Sequence, residues 1–138
     1  MLFALLGLLP LLALAQAELP EVQAPAAFSA PPNGRQLCDE HVLANVGEVH
    51  WQLYAYSASP ETTVREYLAR LHLPAPRGDG RHLRIRGPNN LIHDVYPASE
   101  LATGGPHCAE GVRQGEQTLV RVSVFHEFTR PSPTPPPR

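Results

Sequence analysis

A chain of 138 residues with a formal net charge of −2 and 16 prolines has material for one small domain and no more. Thirteen acidic side chains stand against eleven arginines, with no lysine at all. That balance excludes the strong global attraction for phosphate backbones on which nucleic-acid binding rests, so no nucleic-acid partner is expected.

The chain opens on "MLFALLGLLPLLALAQA", an apolar stretch that closes on Ala15-Gln16-Ala17. This small-x-small pattern is what a signal peptidase cuts after, so residues 1–17 are expected to be a signal peptide with the mature start at Glu18. The segment lacks Arg and Lys, which makes an uncleaved anchor the alternative. Its apolar run of about 15 residues, broken by Pro10, falls short of the ~20 that span a bilayer. The expected product is a secreted or periplasmic domain with no membrane span after cleavage.

Residues 18–34, "ELPEVQAPAAFSAPPNG", carry four prolines and no apolar period and read as an extended leader or linker. A single folded domain is expected over 35–129. Its first stretch, "LCDEHVLANVG", is compatible with an edge strand or a short helical turn. Then "EVHWQLYAY" alternates with period two and is rich in strand-favouring residues. Val49, Trp51, Leu53 and Ala55 share one face, while His50, Gln52, Tyr54 and Tyr56 share the other.

"ASPETTVREYLARLHLP" follows with helix signals. Ser59 suits the N-cap, Pro60 the first helical position and Glu61 the positive end of the dipole. Val64, Tyr67, Leu68 and Leu71 fall at i, i+3, i+4 and i+7 on one stripe. The helix is expected over 60–72, stopped by Pro74, and has to lie on an apolar surface.

"RHLRIRGPNNLIHDVY" reads as two short strands around the turn Gly87-Pro88-Asn89-Asn90, with Leu83 and Ile85 facing inward. The last strand, "QTLVRVSVFHEF", places Val120, Val122 and Val124 on one face, with Leu119, Arg121, Ser123 and Phe125 on the other. It is expected at the centre of the sheet. The closing residues 130–138 include "PSPTPPPR", which favours polyproline II and packs no core.

These elements define an α+β fold: a small two-layer sandwich with one amphipathic helix on a mostly antiparallel sheet of about four or five strands, flanked by proline-rich disordered ends. Tyr54, Tyr56 and Phe125 are expected to form an aromatic patch away from the core side, covered by the leader or open to a partner.

Two cysteines in an exported domain usually pair, so a Cys38–Cys108 disulfide is expected. The loop it closes, about 70 residues, corresponds to roughly 4 kcal/mol of chain entropy. The competing reading is a metal site from Cys38, His41, His107 and Cys108. Adjacent residues seldom both reach one tetrahedral zinc ion, and the spacing matches no usual ligand pattern. Thiol catalysis by Cys108 with His107 is disfavoured by an oxidising compartment.

Elsewhere, His93 and Asp94 point to opposite faces of a strand and do not orient each other. There is no G-x-S-x-G elbow, no H-x-H and no H-E-x-x-H, so no catalytic residue and no cofactor are assigned. Arg77, Arg81, Arg84 and Arg86 form the one local concentration of charge. Of these, Arg81, Arg84 and Arg86 are candidate contacts for an anionic ligand, with Tyr54 and Tyr56 as candidate contacts on the sheet. The competing role for the arginines is to guard an edge strand against aggregation.

The functional expectation is a non-catalytic binding or interaction module, stabilised by one disulfide and recognising a protein partner or an anionic ligand. The alternatives are a small hydrolase-like enzyme and a Cys/His metal-binding protein.

Overall fold

The structure, a computed structural model, describes residues 19–75, 78–103 and 111–129. The expected signal peptide, the stretch carrying His107 and Cys108, Arg77 and the proline-rich residues 130–138 lie outside the described residues. Seven elements follow one another: β1 (Glu21–Gln23), β2 (Arg35–Ala44), β3 (Gly47–Tyr56), α1 (Pro60–Arg70), β4 (Leu83–Arg86), β5 (Leu91–Pro97) and β6 (Thr118–Glu127).

The strands form a single mixed sheet in the order β1-β4-β5-β6-β3-β2. Every pairing is antiparallel except that of β1 with β4. The fold is α+β as expected, but the sheet has six strands instead of four or five. The sixth comes from the leader, where Glu21, Val22 and Gln23 pair in parallel with Arg84, Ile85 and Arg86. Proline excludes a residue's own N–H from a ladder but leaves its neighbours free to pair. Pro20 itself contributes its carbonyl to the N–H of Arg84 at 2.8 Å. "LCDEHVLANVG" folds as strand, being most of β2, with a register irregularity between Gln36 and Cys38.

As expected, β6 lies inside the sheet, flanked by β3 and β5. Its ladder with β3 runs unbroken over ten pairs from Gly47↔Glu127 to Tyr56↔Thr118. Side-chain alternation along this ladder sorts the core into two layers. Tyr56, Leu83, Ile85, Val95 and Val120 meet Val64, Tyr67 and Leu68 of α1 on one face. Leu37, Cys38, Leu53, Ala55 and Leu119 cluster on the other.

α1 begins as its sequence predicts. The Ser59 hydroxyl accepts the Thr62 N–H at 3.2 Å, with Pro60 in the first turn. It ends at Arg70, before Pro74 can act. Leu71 closes the last turn and His72 takes a left-handed φ of 54°, so the chain reverses ahead of the proline. The stripe Val64, Tyr67 and Leu68 is buried, and each such side chain contributes about 1.5–3 kcal/mol.

The aromatic patch does not form. Tyr54 lies opposite Val120 and belongs to the α1 face, whereas Phe125 lies opposite Val49 on the far face. Tyr56 lies opposite Thr118, and Phe125, seven residues further along β6, is turned to the other face by the alternation. Tyr56 is itself buried, with its hydroxyl donating to the Pro31 carbonyl at 2.8 Å.

That contact constrains Gly34. A Cβ built there would stand 2.4 Å from the Tyr56 ring, well inside van der Waals contact. Gly34→Ala is therefore expected to destabilise the protein by about 1–3 kcal/mol. Its urea midpoint should fall while the slope of the transition stays unchanged; an unaltered midpoint would show that the leader does not seat against Tyr56.

Candidate functional site

Three regions carry the polar chemistry. The first lies under α1. The alternation of β5 turns His93 onto the helix face, where it is fully buried. Its Nδ1 is 2.6 Å from the Tyr67 hydroxyl, and the Phe28 ring lies over it with centroids 4.4 Å apart. Burial pushes the imidazole pKa down to about 4, so the ring is neutral at pH 7. Burial likewise pushes the Tyr67 phenol well above its ordinary value. Nε2 of His93 has no hydrogen-bond partner, and an orphaned polar atom of this kind costs about 1–3 kcal/mol.

The second region is the opposite face of the same strand. Asp94 turns away from His93, as the alternation requires. Its carboxylate receives Arg84 at 2.6 Å and Arg121 at 2.6 Å. Leu53, opposite Arg121 on β3, is buried in the apolar cluster alongside.

The third region ties the 78–82 loop to the turn Ala98–Thr103. The His82 ring is gripped on both sides, Nδ1 by Asp79 at 2.8 Å and Nε2 by Glu100 at 2.5 Å. Partial burial works against the charged ring, but hydrogen bonds to Asp79 and Glu100, together with their charges, outweigh it and raise its pKa.

The predicted site residues are dispersed across these regions. Arg84 pairs with Asp94, Arg86 with Glu21 at 2.6 Å, and Arg81 with Glu61 of α1 at 3.3 Å. Arg84 and Arg86 share a face of β4, while Arg81 is drawn toward the helix; each already has a carboxylate. Tyr54 donates to Gln52 at 2.8 Å. Tyr56 is committed to Pro31, and burial pushes its phenol up to about 12.

Cys38 is buried against Leu53, and there is no free cysteine among the described residues. Its expected partner Cys108 lies outside them, as does His107. Cys38 and His41, three apart on β2, point to opposite faces. His41 stands out in solvent, 3.2 Å from Glu48 and edge-on to His50. Among the described residues no group of three or more His, Cys, Asp or Glu is arranged to hold a metal ion.

Sequence reasoning did not find the Tyr67–His93 pair or the His82 clasp. A signal for the first was available: Val95 and His93 are two apart on one strand, so an inward Val95 carries His93 inward too. The His82 clasp joins residues 18 positions apart across two irregular turns, where no periodicity operates.

The far end of the sheet is different in character. Val42, Leu43, Val46 and Phe128 are large apolar residues exposed by 49%, 72%, 56% and 47%. They gather at the β2–β3 turn, where the Phe128 N–H donates to the Val46 carbonyl at 2.9 Å. On the helix-free face Val42 lies opposite Val49, and Val49 opposite Phe125, so an apolar row crosses three strands from edge to centre. No helix among the described residues is long and apolar enough to cross a membrane.

No family model, curated protein or solved structure matches this chain.

The His82 clasp sets a pH signature. A raised folded-state pKa gives stability that is fully present below the ordinary value of 6.5 and lost as pH rises through the higher folded value. His82→Asn should therefore lose more unfolding free energy at pH 5.5 than at pH 9, measured by urea denaturation at both. An equal loss at the two pH values would mean that the ring is held by packing instead of charge.

Proposed function

We propose that this protein is an exported, non-catalytic interaction module that recognises a protein partner through the β2–β3 hairpin end and the adjoining helix-free face. The observation that carries the reading is the concentration of apolar residues at one end of the sheet: Val42, Val49 and Phe125 in register on the helix-free face, and the exposed Leu43, Val46 and Phe128 around the hairpin turn. Scattered exposed apolar residues are ordinary on any protein, but a cluster at one end marks a contact surface.

β2 forms one edge of the sheet, with its outer backbone N–H and C=O groups unpaired among the described strands. A partner that adds an extended segment there gains main-chain hydrogen bonds from the edge and side-chain contact from the hairpin. The arginine strand supports an anionic ligand less well, since Arg81, Arg84 and Arg86 are each paired with a carboxylate of the same chain, Asp94 being shared by Arg84 and Arg121. A hydrolase-like enzyme has little support either: the strongly perturbed histidine, His93, is sealed beneath Phe28, and a general base has to reach its substrate.

In this reading residues 1–17 direct export, the mature chain begins at Glu18, and Cys38 pairs with Cys108. The bridge would tie the start of β2 to the loop before β6, with roughly 2–4 kcal/mol of stabilisation. Reduction of the purified protein should then raise its intact mass by two hydrogen atoms and lower its melting temperature. An unchanged mass would remove the bridge.

The partner surface is tested by Val42→Asp combined with Leu43→Asp and Phe128→Ser, all at exposed positions. Partner capture by the immobilised protein from the fluid into which it is exported should fall at least about ten-fold, a loss of 1.4 kcal/mol or more. The melting temperature should hold within a few degrees. Capture that survives these substitutions, and is instead lost with Arg84→Glu and Arg86→Glu or in high salt, would replace the protein partner with an anionic one.

A further inference from the structure

A second recognition feature lies on the other side of the sheet from the hairpin's apolar row, independent of it. Leader residues 25–29 and the last turn of α1 enclose a cleft of about 440 Å³, within the range of small-molecule sites, about 300–1,000 Å³. Pro25, Ala26, Ala27 and Phe28 form one wall; Tyr67 and Leu71 form the other. Apolar walls of this kind take a hydrocarbon or aromatic body.

Arg70 and His72 also line the cleft. Among the described residues Arg70 is the one arginine with neither an ion pair nor a hydrogen bond. The others for which contacts are known are spoken for: Arg35 by Glu116, Arg65 by Thr62, Arg81 by Glu61, Arg84 and Arg121 by Asp94, and Arg86 by Glu21; Arg113 is also engaged. Even Glu66, one turn earlier on α1 and well spaced for an i to i+4 pair, makes no ion pair with Arg70. The guanidinium that has neither an ion pair nor a hydrogen bond thus stands beside an apolar cleft.

The leader wall is held at its two ends. The Ala24 N–H donates to the Arg86 carbonyl at 2.8 Å, and the Pro31 carbonyl accepts from Tyr56 at 2.8 Å. Between these pins, residues 25–30 make no hydrogen bond to any described residue, and Phe28 rests on Tyr67 and His93 through ring contacts alone. Nε2 of the fully buried His93, behind that ring, is a polar atom without a hydrogen-bond partner. A wall fastened by ring packing between two fixed points adjusts to an incoming apolar body at small cost, because no polar bond has to break.

We propose that this cleft binds a small amphipathic carboxylic acid, its apolar body between the 25–28 strap and Leu71, and its carboxylate on the Arg70 guanidinium at the mouth. A guanidinium binds a carboxylate through paired, charge-assisted hydrogen bonds. Charge complementarity therefore sets the head group and the walls set the body.

The test is a titration of the purified protein with decanoate below its micelle concentration, followed by amide resonances, beside decanol as the uncharged probe of the same length. Decanoate is expected to saturate and to move the resonances of Ala27, Phe28, Leu71 and His72. Decanol should bind at least about ten-fold more weakly. Arg70→Gln, which removes no ion pair or hydrogen bond and should melt within a few degrees of the parent, is expected to bring decanoate down to the decanol level. Equal binding of the two probes, binding indifferent to Arg70→Gln, shifts that gather at Val42, Val46 and Phe128, or no saturation at all would each overturn the proposal. Apart from shifts at the hairpin itself, these outcomes do not bear on the hairpin surface, whose own variants leave the cleft untouched.

Discussion

The ten-pair antiparallel ladder between β3 and β6 is the constraint on which the rest of this small protein depends. Every other strand is placed relative to it, β2 on one flank and β5, β4 and β1 on the other. Its register decides which side chains can meet: Tyr54, Val120, Val95 and His93 fall beneath α1, while Leu53, Leu119, Arg121 and Asp94 fall on the other face. A slip of one residue would exchange the two sets, sending Arg121 toward the helix and Val120 into the second layer. The separation of the arginine–carboxylate cluster from the Tyr67–His93 pair is thus a consequence of pairing, since neighbouring residues of one strand have to part company.

The proline-rich leader completes this architecture. A domain of this size buries a modest fraction of its surface, and one α-helix covers only part of a six-stranded sheet. β1 extends the sheet past β4, Phe28 covers His93 and Pro31 is buried against Tyr56. Prolines suit such a segment because they restrict the unfolded chain and so reduce the entropy lost when it is laid down. They also leave a strap with few polar ties, and that is what gives the cleft beside α1 one adjustable wall.

Charge in this protein is used as fastening between elements distant in sequence. Arg86 reaches Glu21 of the leader, Arg35 reaches Glu116 before β6, and Asp94 gathers Arg84 and Arg121 from the strands on either side. The half-exposed Arg86–Glu21 pair contributes little stability on its own, whereas the carboxylates of Asp94 and Glu116 are largely shielded from solvent. The effect of these pairs is to make one arrangement of strands electrically consistent, while Arg70 is left without an ion pair or hydrogen bond. The exposed apolar hairpin is the complementary feature, a surface on which apolar contact area is available.

The sequence by itself determined the elements whose signals are local. Ser59-Pro60-Glu61 and the stripe Val64, Tyr67 and Leu68 specify α1, because capping and a 3.6-residue period operate within a few residues. Period-two alternation likewise specified β3 and β6 and the inward turn of Leu83 and Ile85. Only the tertiary structure decided what required two distant segments to meet. A three-residue strand such as β1 has no period of its own and exists because β4 presents an edge to it. Tyr56 and Phe125 look alike in a list of aromatics, yet the β3–β6 register places them on opposite faces. The four arginines of 77–86 form a charge cluster when counted along the chain. Glu21, Glu61 and Asp94, at 65, 20 and 10 positions from their partners, dissolve that cluster in space, because Coulombic pairing follows distance through the fold and sequence separation does not encode it.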